Sequence, residues 1–348
     1  MPCPTANVTF LHKGRTELTG FTGRENRRIP PSNLRHPERK SLSAAAILFA
    51  ATALDMREFW ATRLALMPQH TLTGNIQRHK AFPSRTLGNR REILVYLPPG
   101  YRRFARRRYP VLYLQDGQNV FDAATAFGHV EWNVDETAQR LIRKRLIEPI
   151  IIVAVNHTDT DRIHEYTPTR AIALAGWARN KRSRGLARKY GKFLTKELKP
   201  FIDANYRTRP EAEFTGLGGS SLGGLVTMTL GLWFPDVFSR LAVMSPSVWW
   251  DDQVIVRMVD AIEEKLPLRI WLDIGTEELG WRQTRALRDA LVEKGWRLHD
   301  DLQYTEVEGA GHTEGAWAAR IDPVLRFLFP PITEDAAVKS DTELIALR

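Results

Sequence analysis

The sequence predicts an α/β fold: a mainly parallel central sheet with helices on both faces. Three observations point there. Strand-like and helix-like stretches alternate from Glu92 to Phe329. Several strand candidates, Ile150–Val155 above all, are apolar throughout, as strands covered on both faces must be. One glycine-rich stretch, Gly219-Ser-Ser-Leu-Gly223, stands between a short strand pattern (Phe214–Leu217) and an apolar helical run (Leu222–Leu232). Strand, sharp turn and helix in that order is the setting in which a G-x-S-x-G sequence exposes its serine.

Residues 1–42 of the 348 lack sustained periodicity and read as disordered or loosely attached. They hold eight Lys/Arg and three Glu, a net +5 that is half of the formal +10 of the chain. Such an arm can attract nucleic acid or an anionic membrane, but more often it is a solvated tail, and no nucleic-acid partner is expected. The apolar run Ala44–Leu54 is too short to span a bilayer. Lys40 before it and Ala51-Thr-Ala53 within it raise the reading of a signal segment. The long preceding stretch and the helix-like continuation Asp55–Trp60 favour a short helix and a cytoplasmic protein, export being the alternative. Met56 offers an alternative start. The single cysteine, Cys3, excludes an intrachain disulfide and any cysteine-based zinc site. The organisation expected is a basic extension over 1–70, an α/β domain over 71–331 and a polar tail over 332–348.

Taken in order, Glu92–Leu97 reads as a strand ended by Pro98-Pro-Gly100. The basic run Tyr101–Arg108 is a solvated turn or an anion-attracting rim. Pro110–Gln115 is a buried strand running into Asp116-Gly-Gln-Asn119. Asp135–Leu146 has helical spacing at Ala138, Leu141, Ile142 and Leu146, and strand Ile150–Val155 follows. After a polar segment over 156–187 come a helix over Tyr190–Tyr206, the glycine-rich turn with its strand and helix, and strand Leu241–Met244. The rest reads as helix Val254–Leu266, strand Leu268–Ile274, helix Arg282–Lys294, strand Leu302–Val307 and helix Gly315–Phe329, stopped by Pro330-Pro331. Neither a Walker A sequence nor G-x-G-x-x-G is present, so no nucleotide cofactor has motif support.

A serine hydroxyl needs a base to take its proton, and the base needs a group that orients it. Ser221, with glycine at both −2 and +2, is the candidate nucleophile. His312, in the loop Glu308-Gly-Ala-Gly-His312, is the candidate base. The acid is sought in Gly275-Thr-Glu-Glu-Leu-Gly280: Glu278 is favoured, Glu277 is the alternative, and Asp273 falls within the strand. Ser, acid, His is the chain order of α/β-hydrolases. The oxyanion hole is expected from the N–H of Leu222 and, after the strand at Gln115, the N–H of Gln118, with Gly117 allowing close backbone approach. Trp249 and Trp250 either line a substrate pocket or pack in the core. His157, Asp159, Asp161, His164 and Glu165 are metal-capable but match no metal-ligand spacing, so no metal is expected and a polar loop bordering the site is preferred.

From about Thr71 to Pro331 the chain resembles the "Putative esterase" family of α/β-hydrolases, which includes enterochelin esterase-like, feruloyl esterase-like and S-formylglutathione hydrolase-like proteins. The resemblance rests on Val95–Tyr101, Tyr113–Gln118, Arg162–Pro168, Glu197–Asp203, Gly219–Gly224, Ser245–Trp250 and Gly309–His312. It implies a Ser221–His312–acid triad hydrolysing a small-molecule ester or thioester without a metal. Arg162, Glu165 and Tyr166, in one of the matching segments, join the pocket candidates. Many relatives carry Asp where Glu277-Glu278 stand here. The alternatives are an acyltransferase using the same residues, or a non-catalytic protein of this fold binding anionic partners through its basic arm.

Overall fold

The computed structural model describes residues 69–172 and 181–331. The expectations for the basic arm, the apolar run Ala44–Leu54 and the polar tail fall outside these residues. Among the described residues, no helix is long and apolar enough to cross a membrane.

Eight strands form one sheet: β1 (Asn75–Ser84), β2 (Asn89–Leu97), β3 (Val111–Gln115), β4 (Ile151–Val155), β5 (Thr215–Ser220), β6 (Arg240–Met244), β7 (Arg269–Gly275) and β8 (Leu302–Val307). Their order is β1-β2-β4-β3-β5-β6-β7-β8. Strand β2 runs antiparallel to both β1 and β4, and every pairing from β4 to β8 is parallel. This is the α/β-hydrolase arrangement, and the mainly parallel sheet follows the apolar strand patterns.

The alternation of side chains along each strand builds two cores. Ile93, Val95, Leu97, Val111, Tyr113, Ile151, Val153 and Leu217 face one way. Among the described residues the α-helices are α1 (Val134–Arg143), α2 (Arg162–Glu165), α3 (Ala187–Phe193), α4 (Lys199–Asn205), α5 (Leu222–Trp233), α6 (Val254–Asp260), α7 (Trp281–Glu293), α8 (Glu314–Ala318) and α9 (Ile321–Leu328), and these side chains meet α3, α4 and α5. Leu94, Tyr96, Leu112, Leu114, Ile152 and Ala154 face the other way, against α1 (Val134–Arg143) and α9 (Ile321–Leu328). The five residues of β4 are all fully buried; each of its Val and Ile side chains contributes about 1.5–3 kcal/mol.

Three elements depart from the sequence reading. β1 was not expected: its ten residues, NIQRHKAFPS, are mostly polar and half-exposed. It is an edge strand with one wet face and an irregularity between His79 and Phe82, a position where Pro83 is tolerated. Helices α3 and α4 are joined by a π-turn over Leu194–Leu198. The expected helix Gly315–Phe329 is two, α8 (Glu314–Ala318) and α9. Pro323 lacks the N–H that would bond Ala319, and its ring crowds that carbonyl.

Asp135, in the first turn of α1, is fully buried. It accepts hydrogen bonds from the Thr73 N–H (2.6 Å) and hydroxyl (3.1 Å), tying the chain before β1 to the helix. Burial, and next the hydrogen bond shared with Glu136, push its carboxyl from 3.8 up to about 8. The folded state therefore keeps a proton that the unfolded chain loses, so stability falls as pH rises through that window. Asp135→Asn keeps both accepted bonds and is expected to flatten the fall. Melting temperatures of both proteins from about pH 5 to 9 check this; parallel curves would contradict it.

Candidate active site

Ser221 occupies the turn between β5 and α5, with φ 60° and ψ −122°. A non-glycine residue held there is strained, and the neighbours impose it. The Ser221 N–H donates to Met244 O (3.1 Å), and its carbonyl accepts from Ser247 N–H (3.0 Å) and Leu225 N–H (3.1 Å). Close approach requires glycine at 219 and leaves little room for a side chain at 223. A Cβ on Gly219 would sit 2.9 Å from both the Gly223 carbonyl carbon and Gln115 Cβ, and one on Gly223 would sit 3.2 Å from Asp116 Oδ2.

The Ser221 hydroxyl lies 2.9 Å from His312 Nε2. His312 Nδ1 lies 2.5 Å from Glu278 Oε2. The imidazole rests edge-on against the Trp317 ring, with centroids 4.9 Å apart at 86°. Its side chain is 44% exposed, whereas that of Glu278 is 3% exposed. Burial alone would raise the Glu278 carboxyl. The hydrogen bonds from His312 and Ser245, the His312 charge and the Gly275 N–H outweigh it and hold the carboxyl below its ordinary value. The loops carrying Glu278 and His312 are stitched together. Glu277 N–H donates to Ala310 O (3.2 Å), and Gly309 N–H donates to the Thr276 hydroxyl (3.0 Å). Gly275 makes this contact possible, because a Cβ there would lie 2.0 Å from Ala310 O. The structure thus brings Ser221, His312 and Glu278 into one hydrogen-bonded chain, with the Glu277 side chain turned outward to solvent.

Leu222 is the first residue of α5, so its N–H has no acceptor one turn back in the helix. Gln118 sits in a short 3-10 turn, Gly117–Asn119, directly after β3. Asp116 enters that turn at φ 55° and is gripped by Arg162 through two bonds of 2.6 Å. Gly117 packs against the end of β4, where a Cβ would stand 2.7 Å from the carbonyl carbons of Ala154 and Val155.

Among the pocket candidates, Glu165, Tyr166 and Arg162 are placed in the framework, and Trp250 takes the second of its two readings, packing in the core. Glu165 is 1% exposed and bonds Arg91 (2.8 and 2.9 Å) and Asn89 (2.9 Å). Arg91 stays buried by pairing with it and by lying 4.8 Å from the Phe193 ring. Tyr166 is fully buried and its hydroxyl accepts from Asp116 N–H (3.2 Å). Trp250 is fully buried with its N–H on the Thr169 hydroxyl (3.1 Å), while Trp249 is half-buried beside it. Arg162 braces the turn at Asp116. Within the polar segment Asp161 pairs with Arg184 and Glu165 with Arg91, while His157 Nδ1 lies 3.5 Å from Asp159 Oδ1. Among the described residues the one group of carboxylates close enough to share a cation is Glu131, Asp135 and Glu136, within 4.8 Å of one another. Two surface clefts, of about 580 and 450 Å³, are lined by residues around Tyr101 and around Leu268, none of them in the Ser221 site.

Sequence reasoning missed the buried cluster behind Glu278. The Ser245 hydroxyl meets Glu278 Oε1 (2.6 Å) and receives the Trp317 and Arg320 N–H groups (3.0 and 3.1 Å). Arg320 also bonds Asp273 Oδ1 (2.7 Å). Burial pushes the Asp273 carboxyl upward against the pull of Arg320. Its partners, Trp271, Ser245 N–H and Arg320, are all donors, which fits the ionised form. The available signal was Ser245-Pro-Ser at a strand end; nothing marked Arg320.

The model of the family described as "Putative esterase" matches residues 84–328. The protein YjcH of Bacillus subtilis is 30% identical over 265 residues, covering 73% of this chain and 97% of that protein. The ferri-bacillibactin esterase BesA of Bacillus subtilis is 26% identical, over 64% of this chain and 80% of its own. An IroE-like serine hydrolase from Shewanella oneidensis superposes with a TM-score of 0.60 at 24% identity, over 73% of this chain and 80% of that one. With the matched model spanning most of the chain, the protein belongs to the "Putative esterase" family, has the α/β-hydrolase fold and is an ester-hydrolysing enzyme.

Proposed function

We propose that the protein hydrolyses small-molecule carboxylic esters or thioesters through an acyl-enzyme on Ser221. The observation that carries this reading is the unbroken chain from the Ser221 hydroxyl through His312 (2.9 Å) to Glu278 (2.5 Å) at a strained strand-to-helix turn. His312 Nε2 takes the serine proton as Oγ attacks the acyl carbonyl. Glu278, ionised and buried, holds the proton on Nδ1 and stabilises the imidazolium. The tetrahedral oxyanion is received by the N–H groups of Leu222 and Gln118. His312 then hands its proton to the departing alcohol or thiol. In the second half it takes a proton from water, which attacks the acyl carbon, and returns that proton to Ser221 Oγ as the acid leaves.

Acyl transfer to an alcohol would use the same groups. The exposure of His312 favours water as the acceptor. The test is reaction with a fluorophosphonate, with peptide mapping of the adduct. A single adduct on Ser221 is expected. Folded protein that stays unlabelled, or labels elsewhere, would remove the basis for this reading.

A further inference from the structure

Ser245 directly follows β6 at φ 39°, a conformation that a serine rarely adopts. Its hydroxyl has three partners. Trp317 Nε1 and Arg320 Nη2 can only donate, so the one hydroxyl proton must point to Glu278 Oε1, 2.6 Å away. The direction of this hydrogen bond is therefore fixed by its neighbours. Behind it, Arg320 Nη1 bonds Asp273 (2.7 Å), while Arg320 Nη2 stays 3.8 Å from Glu278 Oε1, beyond hydrogen-bond reach. Ser245, Asp273, Glu278 and Arg320 are all at least 95% buried, where the placement of a single charge matters most.

We propose that Ser245 is a positioning residue that stands between Arg320 and Glu278, so that Asp273 matches the guanidinium and the Glu278 carboxylate stays with His312. The inference rests on the triad reading above. A direct Arg320–Glu278 bond would draw the carboxylate's charge away from the imidazole and weaken its hold on the imidazolium. At 3.8 Å the guanidinium still attracts the carboxylate, and the neutral hydroxyl between them keeps that attraction from becoming a direct hydrogen bond. Glu278 faces His312, Ser245, the Gly275 N–H and Arg320, with Asp273 beyond the guanidinium. Glu314 is the further charge near His312. Trp317 joins the two halves: it donates to Ser245 and packs its ring against His312.

The test is steady-state hydrolysis of a short-chain aryl ester across pH, for wild type, Ser245→Ala, Asp273→Asn and Ser221→Ala, with near-ultraviolet circular dichroism to establish folding. Ser245→Ala is expected to lower kcat by about 10- to 100-fold, the scale seen when an outer hydrogen bond to a metal-ligating side chain is removed, with KM nearly unchanged. The acid limb of its kcat/KM profile is expected to move to lower pH, because Arg320 then reaches Glu278. Asp273→Asn is expected to move the limb the same way by leaving Arg320 unmatched. Should Ser245→Ala not fold, Ser245→Cys keeps the shape with a weaker donor and is expected to show the same shift. A folded Ser245 variant with wild-type kcat and acid limb, beside an inactive Ser221→Ala, would overturn the positioning role alone. Activity retained in Ser221→Ala would overturn the triad reading and this inference with it.

Discussion

Ser221→Ala is expected to lower kcat/KM for a short-chain aryl ester by about 10⁴- to 10⁶-fold, the scale seen when a nucleophile acting in concert with its base is removed. The fold should survive. Alanine leaves the backbone bonds of Ser221 to Met244, Ser247 and Leu225 untouched, and the lost hydroxyl contact is to a half-exposed imidazole. An unchanged melting temperature with turnover gone is the expected pair of results. Residual activity near wild type would mean that another residue attacks the ester, Ser220 being the nearest hydroxyl in sequence.

The second large effect is expected at the acid. Glu278→Gln preserves shape but removes the charge, and it can turn its amide N–H₂ toward His312 Nδ1. The imidazole would then carry its proton on Nε2 and could not accept the Ser221 proton. A loss of about 10³- to 10⁴-fold in kcat is expected, as for the equivalent change in a Ser-His-Asp site. Glu277→Gln should leave kcat unchanged, since that side chain faces solvent. The pair of variants separates two adjacent glutamates that sequence alone ranks only weakly, and equal losses in both would contradict the assignment. The Glu278 contacts also bear on stability. With the carboxyl held below its ordinary value, their contribution is present above the unfolded-state pKa and is lost as pH falls through the folded one.

Much of the sheet was legible because burial leaves a plain record. β3, β4, β6 and β7 are short apolar runs, and each lies within a residue or two of where the pattern puts it. β1 left no such record, since an edge strand with one wet face needs only half its residues apolar and tolerates proline. The split before α9 was written in Pro323, and apolar spacing on either side hid it. Within the polar segment, composition was a poor guide. Acidic residues close in sequence take separate partners: Asp161 pairs with Arg184, and Glu165 with Arg91, 74 residues away in the chain.

The sequence by itself determined the class of the fold, the strained turn at Ser221 and the histidine that would serve it. These are local: small residues around one serine between strand and helix, and a histidine in a glycine-rich loop after the last strand. Tertiary structure decided which glutamate meets His312 and which pocket candidates are framework. It also decided that Ser245, Asp273, Trp317 and Arg320 stand behind the acid. Those outcomes depend on which oxygen lies within 3 Å of which donor across loops 30 to 90 residues apart, and hydrogen-bond geometry at that range has no periodicity to read in a chain.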